Sequence, residues 1–208
     1  MNKEDYLKEI AEIKTIMNRS SRFISLSGLS GILAGIYAII GAITAQLILT
    51  NYKNSSSSYS LLPISYLEYT LIVIALLVLL LSILSAYILS AKKAKKSGEK
   101  LWDATSKRLI LNFSIPLFTG GAFCIVLYQN NLIGLIAPCT LIFYGLACLN
   151  ASKYTLGDIR YLGLATIIIG LVSTQFIGYG LYFWAFGFGV MHIVYGAVLY
   201  NKYDKNIH

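Results

Sequence analysis

Four long stretches of this chain contain no Asp, Glu, Lys or Arg, and they limit the possible folds more than any other feature. They cover residues 23–52, 69–91, 109–152 and 161–201. A helix needs about 20 apolar residues to cross a bilayer, and ionised side chains inside the bilayer are costly. Only 12% of the residues are charged, against about 25% in soluble domains. The sequence therefore indicates an integral membrane protein.

The two longest stretches each predict a pair of helices. Residues 109–152 and 161–201 are too long for one span, and each has a turn signal near its middle, at 129–131 and 178–180. The sequence thus predicts an all-α, polytopic membrane protein with six transmembrane helices. The predicted helices cover 28–49, 66–90, 109–129, 132–150, 159–177 and 181–200. The predicted division of the chain is an amphipathic N-terminal part at 1–27, a six-helix bundle at 28–200 and a cytoplasmic tail at 201–208.

The basic residues are distributed very unevenly around these six helices. Of the 17 lysines and arginines, only Lys53 falls on one side of the predicted bundle. By the positive-inside rule, this asymmetry predicts that both termini are cytoplasmic. The expected location is the inner membrane of a bacterium. Orientation also accounts for the net charge of +8, so nucleic acid is not expected as a partner.

Residues 1–27 are predicted to form a cytoplasmic amphipathic helix, at 1–22, and the entry to the first span. Tyr6, Ile10, Ile13 and Met17 recur at spacings of 4, 3 and 4 and make one apolar stripe. Charged residues of both signs nearly balance around this stripe. A nearly neutral helix fits binding to a protein, either its own loops or another subunit, better than binding to anionic lipid. The alternative is a helix that lies flat at the interface as a topological anchor.

A run of four lysines follows the second predicted span. Lys92, Lys93, Lys95 and Lys96 are assigned to the loop between helices two and three. Each basic residue near an anionic leaflet contributes about 1 kcal/mol of attraction. The run is therefore predicted to contact anionic lipid headgroups, with an acidic protein partner as the alternative.

Weak internal similarity suggests that the bundle consists of three parallel hairpin repeats. Residues 39–48 align with residues 168–177, and Tyr144-Gly145 aligns with Tyr195-Gly196. Helix one also carries Ser27, Gly31 and Gly35 at four-residue spacing, a pattern that serves either helix dimerisation or internal packing.

Polar residues inside the spans are few. The three glutamines, Gln46, Gln129 and Gln175, each lie near the outer end of an odd-numbered helix. With His192 they define a candidate outward-facing polar pocket. The alternative is that the glutamines cap helix ends and make interhelical hydrogen bonds.

His192 is the one titratable candidate near the middle of a span, and such a group is a functional hypothesis by default. The alternative is a neutral imidazole bonded to Tyr144, Ser173 or a backbone carbonyl. Metal or haem binding would need more ligands, and the three cysteines lack the usual spacing. No cofactor, metal site or catalytic residue is expected, and we expect that the protein is not an enzyme.

Three segments carry a resemblance to other membrane proteins. The run RSSRFISLSGLSG at 19–31 and the segments at 192–196 and 200–204 resemble a group of uncharacterised six-helix bacterial inner-membrane proteins. That resemblance implies the six-helix fold over the whole chain and no particular activity. The size and the hairpin repeats are also similar to small acid-stress membrane proteins of the HdeD type.

Two function classes follow from these features. The first is a non-catalytic membrane protein that acts as a scaffold, regulatory or assembly subunit through its cytoplasmic face, with a protein partner or a second copy of itself. The second is a passive channel or small-solute transporter with an outward-facing polar pocket. The lack of membrane-embedded carboxylates argues against ion-coupled transport and favours the first class.

Overall fold

The computed structural model describes residues 27–55, 64–98 and 102–205, and 88% of these residues are helical. Within these ranges six helices follow one another, as the sequence predicts. They are α1 (Gly28–Ser55), α2 (Ile64–Ser97), α3 (Ala104–Gln129), α4 (Ile136–Ala151), α5 (Ile159–Ser173) and α6 (Gly180–Asp204). The proposed amphipathic helix with Tyr6, Ile10, Ile13 and Met17 lies outside the described residues, so its docking stays a prediction.

Five of the six helices are long and apolar enough to cross a membrane, and α5 is the exception. Its 15 residues rise about 22 Å, whereas the hydrocarbon core is about 30 Å thick. The sequence predicted a helix to residue 177, and that bound is wrong. After Ser173 the chain forms tight turns, in which Gln175 N donates to Val172 O at 3.0 Å. Gly178 then adopts a φ of +100°, which cannot continue a helix.

Helices α2 and α6 extend further than the sequence predicted. The expected ends were residues 90 and 200, but the helices continue to Ser97 and Asp204. The four lysines assigned to a loop therefore lie on the last two turns of α2. An ion pair between Lys93 and Asp204, with 2.6 Å between Nζ and Oδ1, joins the two extensions. Because this pair is a tertiary contact, the local sequence pattern did not indicate it.

The helices alternate in direction, and α1 and α4 each pack against more than one other helix. Helix α1 packs against α2 and α6, while α4 packs against α3, α5 and α6. We call the end at which α1, α3 and α5 begin the lysine-rich end, because Lys92, Lys93, Lys95 and Lys96 lie there. The other end carries the turns between α3 and α4 and between α5 and α6.

Glycines bring α1 and α6 into backbone contact. A Cβ atom added to Gly35 would lie 2.6 Å from the carbonyl oxygen of Gly189, and one added to Gly196 would lie 2.5 Å from the amide nitrogen of Ile32. Gly31 faces Gly196 in the same contact. The small residues of α1 are therefore used for packing inside the chain, which confirms one of the two alternatives.

The contact between α4 and α5 has a similar construction. A Cβ atom on Gly145 would lie 2.5 Å from the carbonyl oxygen of Gly163. The proposed repeat aligns Gly145 with Gly196, and both do lie at close antiparallel contacts. However, the repeat aligns Gly163, the partner of Gly145, with Ala34. The glycine that faces Gly196 is instead Gly31, which lies one turn away from Ala34. The three-hairpin repeat therefore stays a prediction.

Candidate functional site

The most distinctive polar group inside the bundle is the imidazole of His192, which is buried between α4 and α6. The residues before it, Ala185–Val190, form a π-helical segment of α6. Nδ1 of His192 lies 3.1 Å from the carbonyl oxygen of Gly187, five residues earlier in the chain. Single π-helical turns within α-helices are frequent at functional sites.

The hydrogen bonds of His192 define its tautomer. The Gly187 carbonyl can only accept, so Nδ1 must carry the proton. In the neutral ring Nε2 is then an acceptor, and the hydroxyl of Tyr144 donates to it at 2.6 Å. Both ring nitrogens have partners. The contacts thus confirm two of the three partners considered for a neutral imidazole, while Ser173 is not one of them.

Aromatic rings from α3 and α6 surround this pair. The ring of Tyr144 meets Phe113 of α3 edge-on at 5.9 Å between centroids and Phe188 of α6 at 5.0 Å. Phe188 also lies against Trp184 and stacks on the His192 ring at 5.8 Å. Edge-to-face and stacked ring pairs stabilise such packing beyond area burial alone. The rings of Phe188 and Trp184 therefore pack against the imidazole from the side that faces away from the lysine-rich end, and this packing fixes its orientation.

Further polar groups lie between His192 and the lysine-rich end. Cys148 lies one turn after Tyr144 on α4 and is fully buried. The hydroxyl of Tyr195 on α6 is buried without a hydrogen-bond partner in the described part of the chain.

The three glutamines do not share the environment of His192. Gln129 and Gln175 are exposed and Gln46 is partly exposed, whereas His192 is buried. The Gln175 amide donates to the neighbouring Thr174 hydroxyl at 3.1 Å. Among the described hydrogen bonds, none joins one glutamine to another or to His192. These contacts give the shared pocket no support, and it stays a prediction.

At the lysine-rich end, the carboxylate of Asp204 joins three helices. One oxygen accepts a hydrogen bond from the ammonium of Lys93 on α2. The other oxygen accepts hydrogen bonds from the amide of Gly28 at 2.8 Å and from the hydroxyl of Ser27 at 3.3 Å. The carboxylate therefore caps the first turn of α1, where the helix dipole favours negative charge. We call Lys93, Asp204, Ser27 and Gly28 the Asp204 clamp.

The clamp corrects the lipid-contact prediction for one lysine. The side chain of Lys93 is only 11% exposed and paired, so it is not available to lipid headgroups. Lys92, Lys95 and Lys96 are exposed, and their contact with anionic lipid stays a prediction.

A second carboxylate ties α6 to the segment between α4 and α5. Asp158 accepts from the ammonium of Lys202 and from the hydroxyl of Tyr203, each at 2.8 Å. The hydrogen bond from Lys202 is the main cause that holds the pKa of Asp158 below its usual value. Neither aspartate was singled out from the sequence. The sequence feature that could have indicated them is their position, since each is a single acidic residue beside the end of a span, among basic residues.

Two of the thiols lie between α3 and α4; Cys139 is buried and Cys124 is partly exposed. Cys139 lies 3.9 Å from the carbonyl oxygen of Gly120, and Cys124 lies 4.0 Å from that of Ile136, both across the contact between α3 and α4. Within the described ranges, no group of three or more His, Cys, Asp or Glu side chains comes together in a way that could hold a metal ion.

Together these features define an all-helical protein with five helices able to cross a membrane and a hydrogen-bonded histidine between two of its helices. Comparison with protein-family models, with curated proteins and with solved structures finds no match. The similarity to proteins of the HdeD type is therefore unsupported.

Proposed function

We propose that this protein resides in the inner membrane of a bacterium with both termini in the cytoplasm. There it acts, without catalysis, as a scaffold, regulatory or assembly subunit. Its lysine-rich end is the surface that partners bind. The observation that carries this proposal is the Asp204 clamp, which holds the ends of α1, α2 and α6 in one geometry.

The clamp supports a docking role because of where it lies. It fixes the first turn of α1, a few residues after the amphipathic helix that the sequence predicts at residues 1–22. An apolar stripe anchored at a fixed point needs less ordering on binding, since immobilising a flexible segment costs free energy. The clamp thus connects the two cytoplasmic features that the sequence singled out, the N-terminal stripe and the lysines of α2.

The exposed charge at this end favours an acidic partner surface. Lys92, Lys95 and Lys96 of α2 are exposed there. So are Lys107 and Arg108 at the start of α3 and Arg160 at the start of α5. Asp103 is also exposed at this end, so the surface is predominantly basic, and such a surface speeds association with an acidic one. Anionic lipid headgroups would bind the same lysines, so lipid and partner share this end of the molecule.

The buried site gives no reason to assign catalysis. The two nitrogens of His192 are already bonded, to Gly187 and Tyr144. Aromatic rings cover the imidazole on one side. A general base must lie within hydrogen-bond reach of the proton that it abstracts, and the proton that His192 Nε2 reaches here is that of the Tyr144 hydroxyl.

Purification of the tagged full-length chain in mild detergent tests the proposal. We expect a stoichiometric partner or a second copy to co-purify, and the double variant Ile10→Ser/Ile13→Ser to lose it while still inserting into the membrane. The matched control is Ile10→Leu/Ile13→Leu, which keeps the stripe apolar and should keep the partner. Equal recovery with both double variants, or solute flux through the purified protein in liposomes, would contradict the proposal.

A further inference from the structure

We propose that Cys124 on α3 and Cys139 on α4 form a redox site, at which a peroxide converts the two thiols into a disulfide that joins the helices. The site lies near the turn between α3 and α4, at the end of the bundle opposite the lysine-rich end. This inference is independent of the scaffold role, because it involves neither the N-terminal stripe nor the Asp204 clamp.

The register of α3 and α4 places the two cysteines opposite each other. A Cβ atom added to Gly120 would collide with the Cβ of Phe143, so these two residues face each other at a close approach of the helices. Cys124 comes four residues after Gly120, and Cys139 comes four residues before Phe143. Residues four apart lie on one face of a helix, and α3 and α4 are antiparallel. The two cysteines therefore face each other one turn further along the same contact.

The contacts of the two thiols show that both point into this interface. Sγ of Cys139 lies 3.9 Å from the carbonyl oxygen of Gly120, in the turn of α3 that precedes Cys124. Sγ of Cys124 lies 4.0 Å from the carbonyl oxygen of Ile136, in the turn of α4 that precedes Cys139. Helical side chains lean back over the preceding turn. Each thiol therefore contacts the turn that the other cysteine covers, and this reciprocal arrangement brings the two sulfur atoms side by side.

The third cysteine is too far away to take part. Cys148 comes nine residues after Cys139 on the same helix, which is about 13 Å at 1.5 Å per residue. A disulfide joins Cα atoms that are less than about 7 Å apart. Because Cys124 is level with Cys139, it is equally out of reach of Cys148. The fully buried Cys148 thiol therefore serves as a reference within the same chain.

Cys124 is the thiol that an oxidant reaches first. Cys124 is partly exposed, whereas Cys139 is buried. The surface of α3 beside it is open, because a Cβ atom on Gly121, one turn earlier, would meet nothing within 4 Å. Cys124 also lies five residues from Gln129, the last residue of α3, which is about 7.5 Å along the helix axis. A small neutral molecule such as hydrogen peroxide therefore has a short route to this thiol.

The reaction with hydrogen peroxide takes place in two steps. The Cys124 sulfur attacks one peroxide oxygen, the O–O bond breaks, and the thiol proton leaves with the other oxygen as water, which gives a sulfenic acid. The Cys139 sulfur then attacks the Cys124 sulfur, the S–O bond breaks, and the released hydroxide takes the Cys139 proton to form a second water. Each sulfur loses one electron, and the peroxide gains both.

The disulfide would hold the tips of α3 and α4 together. It closes a loop over residues 124–139, which includes the turn between the two helices, and so restricts the unfolded chain. In the orientation proposed above, this end of the molecule lies outside the cytoplasm, where disulfides form and persist. We therefore expect oxidation to raise the midpoint of thermal unfolding, and dithiothreitol to reverse the rise.

Treatment of the reduced full-length protein in detergent with hydrogen peroxide tests the proposal. Free thiols are counted by maleimide labelling after denaturation, and mass spectrometry of the digested chain identifies linked peptides. We expect the count to fall from three to one, with a link between Cys124 and Cys139 and the loss of two hydrogen atoms per chain. These thiols should disappear at least about tenfold faster than Cys148, because thiol oxidation follows exposure and the presence of a second thiol.

Two single variants serve as matched controls. Cys148→Ala should still lose both of its thiols to the disulfide. Cys139→Ala lacks the second thiol, so its Cys124 should stop at a sulfenic acid, which dimedone traps. Survival of all three thiols in peroxide that fully oxidises glutathione, or equal rates of loss for all three, would overturn the proposal. Links between two chains, or an unfolding midpoint that the internal disulfide lowers, would overturn it as well.

Discussion

Tyr144 donates its hydroxyl proton to Nε2 of His192 at 2.6 Å, and this bond joins α4 to α6 in the interior of the bundle. Both helices run in the same direction there, so no turn connects them, and side-chain contacts alone determine their register. The pair is therefore a suitable place to separate a structural role from a titrating one.

Replacement of His192 distinguishes the two roles. His192→Gln should keep most of the stability because an amide can still donate and accept, whereas His192→Leu should lose about 1 kcal/mol through the unpaired Tyr144 hydroxyl. Thermal unfolding in detergent measures both, and Tyr144→Phe/His192→Leu should recover part of the loss. If His192→Gln instead gives the same phenotype as deletion of the gene while the protein still folds, the imidazole must change charge in function.

Gly196→Ala should destabilise the contact between α1 and α6. The new Cβ would lie 2.5 Å from the backbone nitrogen of Ile32, so one helix must move. Gly121→Ala is the matched control, since a Cβ there meets nothing within 4 Å, and alanine is the better helix former by about 1 kcal/mol. The two variants should shift the midpoint of thermal unfolding in opposite directions; a shift in the same direction would contradict the close packing.

Ser173→Ala should leave the free energy of unfolding unchanged or raise it. The Ser173 hydroxyl is fully buried without a partner in the described structure, and removal of an unsatisfied polar group relieves its desolvation cost. Ser30→Ala serves as the comparison because the buried Ser30 hydroxyl donates to the carbonyl of Ser27 at 2.6 Å. A larger loss of stability at Ser173 than at Ser30 would mean that the Ser173 hydroxyl has a partner, such as a bound water.

The pairing of Asp158 should make stability depend on pH. The hydrogen bond from Lys202 lowers the pKa of Asp158 in the folded protein. Its contribution is therefore fully present above the unfolded pKa of about 4 and is lost as the pH falls through the lower folded value. Asp158→Asn should flatten the change of the unfolding midpoint below pH 5 relative to the native chain. An identical pH profile for both proteins would show that this pair contributes nothing.

The orientation in the membrane is tested by labelling single cysteines in a chain with Cys124, Cys139 and Cys148 replaced by alanine. An impermeant maleimide applied to intact cells should label Ser56→Cys but not Ser97→Cys. The reason is the excess of Lys and Arg residues at the lysine-rich end, because segments with such an excess stay on the cytoplasmic side of the membrane. Labelling of Ser97→Cys from outside would invert the topology.

The sequence predicted the helix count because long uncharged stretches and central turn signals are local features. It missed the ends of α2 and α6 because the uncharged stretches stop at Lys92 and Lys202, and a charge by itself suggests the end of a span. Beyond those points Lys93 and Asp204, 111 residues apart in the chain, pair with each other. The early end of α5 likewise depends on turns that the apolar composition of residues 174–177 does not reveal.

The sequence could nominate His192 but could not choose among its partners. The direction of a side chain around a helix axis depends on how the helices pack, and the π-helical segment of α6 changes that direction within a few residues. Gly187 and Gly189 in this segment give no side-chain pattern that predicts it. The sequence indicated Tyr195 only through its repeat-like spacing, because hydroxyl groups in apolar stretches are common. Whether such a hydroxyl has a hydrogen-bond partner can be seen only in the three-dimensional structure.

The length of α5 also bears on a bilayer that would surround the protein. A 15-residue helix is shorter than the hydrocarbon core of a typical bilayer, and where such a helix faces lipid the mismatch is relieved by local thinning of the membrane. The cost rises with each ångström of difference, so the protein should be most stable in bilayers of short-chain lipids. In a cell with membrane regions of unequal thickness, α5 would then favour partition of the whole chain into the thinner ones.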